Sequence, residues 1–105
     1  MQKISVVIPV YNEEGNVGLV YQRLTDIFNR QLSQFSYEIL FINDGSHDFS
    51  WRLIDEICCQ DNRVKAVSFS RNFGHQAALS AGYDLVDGDA IISMDADLQD
   101  PPELI

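Results

Sequence analysis

The sequence predicts an α/β fold: a parallel sheet of about four strands in the order 3-2-1-4, with helices on both faces. Three observations point there. Short apolar, β-branched runs alternate with longer amphipathic ones. Turn-forming residues, among them Asn12, Gly45 and Gly74, fall where the apolar runs end. The polar residues able to do chemistry sit just beyond the carboxyl ends of the predicted strands, where such sheets bind ligands.

Ile4 to Val10 is apolar with little alternation, the pattern of a strand covered on both faces. Pro9 stands at its end, where a missing ladder donor does least harm. Tyr11 to Gly15 reads as a loop, and Asn16 as the cap of a helix running to about Leu32. Val17, Val20, Tyr21, Leu24, Ile27 and Phe28 mark its sheet-facing side. Tyr37 to Ile42 predicts the second strand. The turn from Asn43 to Asp48 follows, with Gly45 free to adopt dihedrals closed to most residues. A second helix from about Phe49 to Cys59 offers Trp51, Leu53, Ile54 and Ile57 to the core.

Val64 to Phe69 predicts the third strand and His75 to Val86 the third helix, where Gly82 suits close packing. Asp89 to Met94 predicts the fourth strand, from which an acidic loop, Asp95 to Asp100, emerges. Pro101-Pro102 then constrains the chain, and Glu103-Leu104-Ile105 reads as the start of a helix. With the first and fourth strands adjacent, the crevice beyond them would collect Asn12, Asp44, Arg71, Asp95 and Asp97.

A chain of 105 residues, 46% hydrophobic and 22% charged, suits one soluble globular domain. Sixteen acidic against seven basic side chains give a net charge of -9. That balance opposes binding to nucleic acid or an anionic membrane. A phosphorylated ligand stays open, because a divalent cation reverses the local sign. Cys58 and Cys59 are neighbours whose side chains diverge by about 100° on a helix, so reduced thiols and a cytoplasmic location are expected. The start of the chain lacks the pattern of a signal peptide, and no apolar run approaches the roughly 18 residues of a membrane span. Membrane contact, such as anchoring at the cytoplasmic face, would have to come from segments beyond Ile105. The abrupt ending predicts the amino-terminal part of a larger catalytic domain, 1–105, whose exposed edge strand could favour pairing between copies as a homo-oligomer.

Asp95 and Asp97, two apart at a strand end, can turn both carboxylates toward one cation. Oxygen ligands suit Mg²⁺ or Mn²⁺, which also accept phosphate oxygens. The bland alternative is a pair of solvent-facing loop acids. Gln99 could reach the same ion or a phosphate, whereas Asp100, beside Pro101, reads as a turn former. Asp44 could accept hydrogen bonds from a base or ribose, or serve only its own turn, which Asn43 helps to hold. Pro9, Tyr11 and Glu13 offer a rigid bend, a flat ring and a carboxylate beside such a base. Arg71 could contact a diphosphate or pair with Asp44 or Asp95. His75 begins the third helix, and no partner for it is evident. Neither a Gly-x-Gly-x-x-Gly nor a Walker sequence occurs, and no nucleophile elbow is present.

Four landmarks in order carry a resemblance: Val7-Ile8-Pro9-Val10-Tyr11-Asn12-Glu13-Glu14, Ile42-Asn43-Asp44-Gly45-Ser46, Arg71-Asn72-Phe73-Gly74-His75-Gln76, and Asp95-Ala96-Asp97-Leu98-Gln99-Asp100-Pro101-Pro102-Glu103. Across essentially the whole chain the sequence resembles the amino-terminal region of family 2 glycosyltransferases. The nearest branch is the polyprenyl-phosphate sugar transferases, which include dolichyl-phosphate mannose synthase and bactoprenol glucosyltransferases. The resemblance implies the Rossmann-like, three-layer GT-A fold and a nucleotide-diphosphate sugar donor, with UDP-sugars favoured. It implies that Pro9, Tyr11 and Glu13 contact the nucleoside and that Asp44 recognises the base. Asp95 and Asp97 would place Mg²⁺ or Mn²⁺ on the diphosphate, with Gln99 nearby and Asp97 the residue acting in catalysis. Arg71 lies in the stretch typical of the branch, and His75 stands where lysine is common.

The implied reaction is an inverting transfer to an acceptor, a polyprenyl phosphate in this branch, with a polysaccharide or protein hydroxyl as the alternative. A lipid phosphate is already ionised at neutral pH and needs no strong general base, whereas a hydroxyl would need one from beyond the present chain. The rival from another class is a phosphoacceptor or nucleotide-binding module, which would want a fifth strand. A sugar nucleotidyltransferase would want a basic, glycine-rich first loop, and this one is acidic.

Overall fold

The computed structural model of the protein describes residues 2–96. The expectations placed on Asp97, Gln99, Asp100, the two prolines and Glu103 to Ile105 lie outside the described residues. The elements are β1 (Lys3–Val10), α1 (Val17–Arg30), β2 (Ser36–Asn43), α2 (Ser50–Gln60), β3 (Val64–Ser68), α3 (His75–Leu85) and β4 (Ala90–Ser93). All pairings are parallel, and the sheet runs β3-β2-β1-β4, as the alternation of patterns predicts.

β1 is central and buried from Ile4 to Val10. Its side chains divide by parity, as pleating requires. Ile4, Val6, Ile8 and Val10 join Ile39 and Phe41 of β2 under α1 and α2, packing against Val17, Val20, Leu24, Phe28 and Ile54. Val7, Leu40 and Ile42 face the other way and pack with Ala78 of α3. Helices therefore cover both faces. Each fully buried aliphatic or aromatic side chain here contributes about 1.5–3 kcal/mol by leaving water. Gly82 sets how closely α3 approaches: a Cβ there would lie 2.3 Å from Val7 Cγ1.

Pro9 sits inside the central strand yet breaks no ladder. Val7 presents its carbonyl to Met94, beyond β4, and Val10 presents its own to Asp44, beyond β2. By alternation Pro9 faces the β4 side, where the register stops at Val7 and Ser93. On the α3 face, Glu38 is buried and accepts a hydrogen bond from Ser5 Oγ at 2.6 Å. Lys3 and Lys65 pair with it from its rim.

Three local expectations are corrected. Trp51 is 37% exposed instead of buried, because α2 turns Ser50 and Ile54 fully inward. Ser50 belongs inside because its hydroxyl accepts the Glu13 backbone N–H at 2.9 Å, a bond no indole could accept. Asn16 occupies the N-cap position of α1 without a side-chain cap bond. Its amide donates instead to Glu13 Oε2 at 2.8 Å. α1 also stops at Arg30, two residues short of Leu32. Cys58 and Cys59 are free thiols, and burial raises the Cys58 pKa above its ordinary value.

Candidate functional site

The loops after β1, β2 and β3 are bound to one another before any ligand is considered. Asn12 adopts a left-handed φ of 53°. That conformation is tolerated by asparagine far better than by most residues. It lets Asn12 bridge outward twice: its N–H donates to Ser46 Oγ at 3.0 Å, and its Oδ1 accepts the His47 N–H at 2.8 Å. Glu14 N–H donates to Asp48 Oδ2 at 3.2 Å, and Phe49 N–H donates to Glu14 Oε2 at 3.3 Å. Asp48 also accepts the Ser50 N–H at 2.9 Å. Burial opposes its ionisation, but the hydrogen bonds from the Ser50 side chain and from the amides of Ser50 and Glu14 prevail, holding its carboxyl below the ordinary value. The signal was present in sequence: an aspartate two residues before a serine at a helix start is an Asx-type turn.

Asp44, 3% exposed, ties the second loop to the third. Its Oδ1 accepts the Phe73 N–H at 2.8 Å, and its Oδ2 accepts the Gly74 N–H at 3.1 Å and Asn72 Nδ2 at 3.2 Å. Three of its roughly four acceptor positions are thus occupied within the chain. Asn43 holds the turn, accepting the Ser46 N–H at 3.2 Å and donating to Ser68 Oγ at 3.0 Å. Gly45, with φ 72°, passes so close to the third loop that a Cβ would stand 2.3 Å from the Arg71 carbonyl carbon. Arg71 pairs with neither Asp44 nor Asp95 among the described residues. Its guanidinium rests 4.6 Å from the centre of the Phe73 ring, which meets Phe69 edge-on.

Two adjoining clefts open above this framework. One, of about 220 Å³, is lined by Pro9, Val10, Tyr11, Asp44, Asn72, Gly74 and His75. The other, of about 210 Å³, is lined by Pro9, Tyr11, Glu13, His75, Asp95 and Ala96. Pro9, Tyr11 and His75 form their common wall. The cleft edges thus bring together Pro9, Tyr11, Glu13, Asp44 and Asp95, while Arg71 lines neither. Asp95 leaves the end of β4, and its Oδ1 meets His75 Nε2 at 2.9 Å. This contact supplies the partner that no sequence spacing revealed. A larger hollow of about 580 Å³ lies at the opposite edge, beside Tyr21, Asp61 and Arg63. Those groups already satisfy one another, Tyr21 donating to Asp61 Oδ2 at 2.8 Å. Burial and that bond push the Tyr21 phenol up to about 12.

The family model for glycosyl transferase family 2 matches residues 5–105. The chain belongs to glycosyl transferase family 2. Within that family it is 52% identical over 101 residues to the uncharacterized glycosyltransferase YkcC of Bacillus subtilis (strain 168), covering 96% of this chain and 31% of that protein. It is 45% identical over 103 residues to the bactoprenol glucosyl transferase of Shigella phage SfV, covering 98% of this chain and 33% of that protein. The chain therefore spans about a third of the length of the curated relatives it matches.

The fold is shared with solved structures as well. Staphylococcus aureus TarS 1-349 in complex with UDP-GlcNAc superposes with a TM-score of 0.70 at 20% identity, over 90% of this chain and 26% of that one. The mannosyltransferase PcManGT of Pyrobaculum calidifontis, in complex with GDP-Man and Mn²⁺, gives 0.70 at 18% identity, over 95% and 33%. At such identities the likeness establishes the fold, which is GT-A. Among the described residues no helix is long and apolar enough to cross a membrane.

Proposed function

We propose that this chain is the donor-binding part of an inverting, metal-dependent glycosyltransferase that moves a sugar from a nucleotide diphosphate to a polyprenyl phosphate. The observation that carries the reading is the pair of clefts sharing Pro9, Tyr11 and His75, with Asp44 at one end and Asp95 at the other. A base needs a flat, largely apolar slot with a few polar anchors, and a diphosphate needs cationic or metal neutralisation next to it. The paired clefts offer that division. Proteins of the same fold have been solved with UDP-GlcNAc and with GDP-Man and Mn²⁺, and a 45% identical relative is a bactoprenol glucosyl transferase.

The residues fit a hard cation in kind. Asp95 offers carboxylate oxygen, and its Oδ2 has no hydrogen-bond partner among the described residues. Those residues include no cluster of three or more acidic, histidine or cysteine ligands, so Asp95 would share Mg²⁺ or Mn²⁺ with Asp97, Gln99 and the donor diphosphate. When bound, that ion supplies positive charge for the departing diphosphate. Tyr11 and Pro9 shape the nucleoside slot, Glu13 accepts from ribose, and Asp44 spends its remaining acceptor position on the base. Arg71, held off the cleft by Phe73, could reach a phosphate only by leaving that ring. A phosphate acceptor arrives ionised, so transfer needs no general base from residues 2–96.

Titration of the protein with UDP-glucose in the presence and absence of Mn²⁺, by calorimetry, tests the donor assignment. Binding should require the ion and should be lost in Asp97→Ala and Asp95→Ala. Affinity indifferent to both Mn²⁺ and Asp97→Ala would overturn it. Transfer by the whole protein to undecaprenyl phosphate, and not to a polysaccharide, tests the acceptor.

A further inference from the structure

We infer that His75 is a positioning residue for Asp95, holding one carboxylate oxygen so that the other is presented to the cation; this rests on the metal-dependent reading above. His75 opens α3, which packs on the sheet face, and Asp95 follows β4, the sheet neighbour of β1, so the contact joins two separate elements. Their contact at 2.9 Å is a direct hydrogen bond between Nε2 and Oδ1. The Asp95 side chain is 42% exposed and has no other hydrogen-bond partner among the described residues. A half-exposed carboxylate on a strand-end loop would otherwise sample several rotamers, and each lost rotamer must be repaid when it coordinates.

The backbone that carries His75 is held in place from its own side. The Ala78 N–H bonds back to the Gly74 carbonyl, closing the first turn of α3. Gly74 is in turn held by its N–H to Asp44 Oδ2 at 3.1 Å. A chain of bonds therefore runs from Asp44 through Gly74 and the first turn of α3 to His75 and Asp95, linking the two clefts. The choice of an imidazole matters. A lysine at this position would place a fixed positive charge on Asp95 and compete with a cation for it, whereas an imidazole can hold the carboxylate by a hydrogen bond without carrying that fixed charge. Hydrogen-bond partners of ligating groups behave this way generally, and their loss weakens metal binding by about 10–100-fold.

Mn²⁺ binding in the presence of UDP, followed by electron paramagnetic resonance on the protein, His75→Ala, His75→Gln and Asp95→Ala, separates the possibilities. The inference expects His75→Ala to weaken Mn²⁺ binding by about 10–100-fold. It expects His75→Gln, whose amide reaches about where Nε2 does, to recover most of that loss. Loss of Mn²⁺ binding in Asp95→Ala with wild-type binding in His75→Ala would overturn the role of His75 alone. Equal loss in His75→Ala and His75→Gln would do the same. Wild-type Mn²⁺ binding in Asp95→Ala would remove the metal reading itself, and this inference with it.

Discussion

Asp44 Oδ1 accepts the backbone N–H of Phe73 at 2.8 Å, so a carboxylate at the end of β2 shapes the loop that follows β3. The second oxygen does the same for Gly74 and Asn72. One buried side chain thereby orders a wall of the cleft, whatever it also offers to a ligand.

Asp44→Asn is consequently not a mild change. The new amide keeps one acceptor for Phe73, but its NH₂ faces the donors of Gly74 and Asn72. We expect a loss of about 1–3 kcal/mol in urea unfolding, since the Gly74 N–H and the Asn72 amide are left facing a donor. Weaker UDP-sugar binding should accompany it in calorimetry. Wild-type stability for Asp44→Asn would contradict the anchoring role.

Gly45→Ala should be worse than any other glycine-to-alanine change in the loops. Its φ of 72° disfavours a side chain, and the added Cβ would strike Arg71 and Asn72 backbone at 2.3 and 2.4 Å. The left-handed backbone alone costs about 1–3 kcal/mol, and the clash forces the third loop away. Gly18→Ala, in the first turn of α1 with nothing within 4 Å, is the control and should raise stability by up to about 1 kcal/mol. Urea midpoints of the two variants should move in opposite directions.

The Ser5–Glu38 network predicts acid sensitivity. Burial raises the Glu38 pKa, but hydrogen bonds from Ser5, the Asp87 N–H and Lys3 outweigh it, leaving the carboxyl below its ordinary 4.5. A folded-state pKa below the unfolded one means the stabilisation is complete above about pH 4.5 and disappears as pH falls through the folded value. Asp61, lowered despite burial by its bonds to Arg63 and Tyr21, adds the same sign. Glu38→Gln should therefore be less stable than wild type at pH 7, with the gap closing toward pH 3. A gap that stays constant across unfolding curves at those pH values would show that Glu38 acts by packing alone.

Tyr37→Phe should be neutral or stabilising. The Tyr37 ring stacks on Phe28 at 4.1 Å and lies under Arg63 at 4.6 Å, contacts that phenylalanine keeps. Its hydroxyl is buried without a hydrogen-bond partner among the described residues. Removing it relieves a desolvation penalty of about 1–3 kcal/mol, less whatever dispersion the oxygen contributes. A urea midpoint lowered by the substitution would reveal a partner for that hydroxyl.

Much of this molecule was readable from local pattern. The unbroken apolar run of β1 requires cover on two faces, and the spacing of Val17, Val20, Leu24 and Phe28 faces α1 onto one of them. Both follow from short-range geometry, the pleat and the helical turn, which any window of sequence records. Parallel strands joined by right-handed crossovers then force the loops bearing Tyr11, Asp44 and Asp95 to one edge. Periodicity was less informative where polar demands compete with apolar ones: α2 turns Ser50 inward, where its hydroxyl accepts the Glu13 N–H, and leaves Trp51 37% exposed.

The sequence by itself determined the layers, the sheet order and which strand ends carry acids and aromatics. Only the tertiary structure decided who partners whom among them: Asn12 with Ser46 and His47, Asp44 with the 72–74 backbone, His75 with Asp95. The reason is physical. Residues 20 to 35 apart in the chain meet only after separate strands have closed in register, and hydrogen bonds then depend on ångström-scale distances that no local preference encodes.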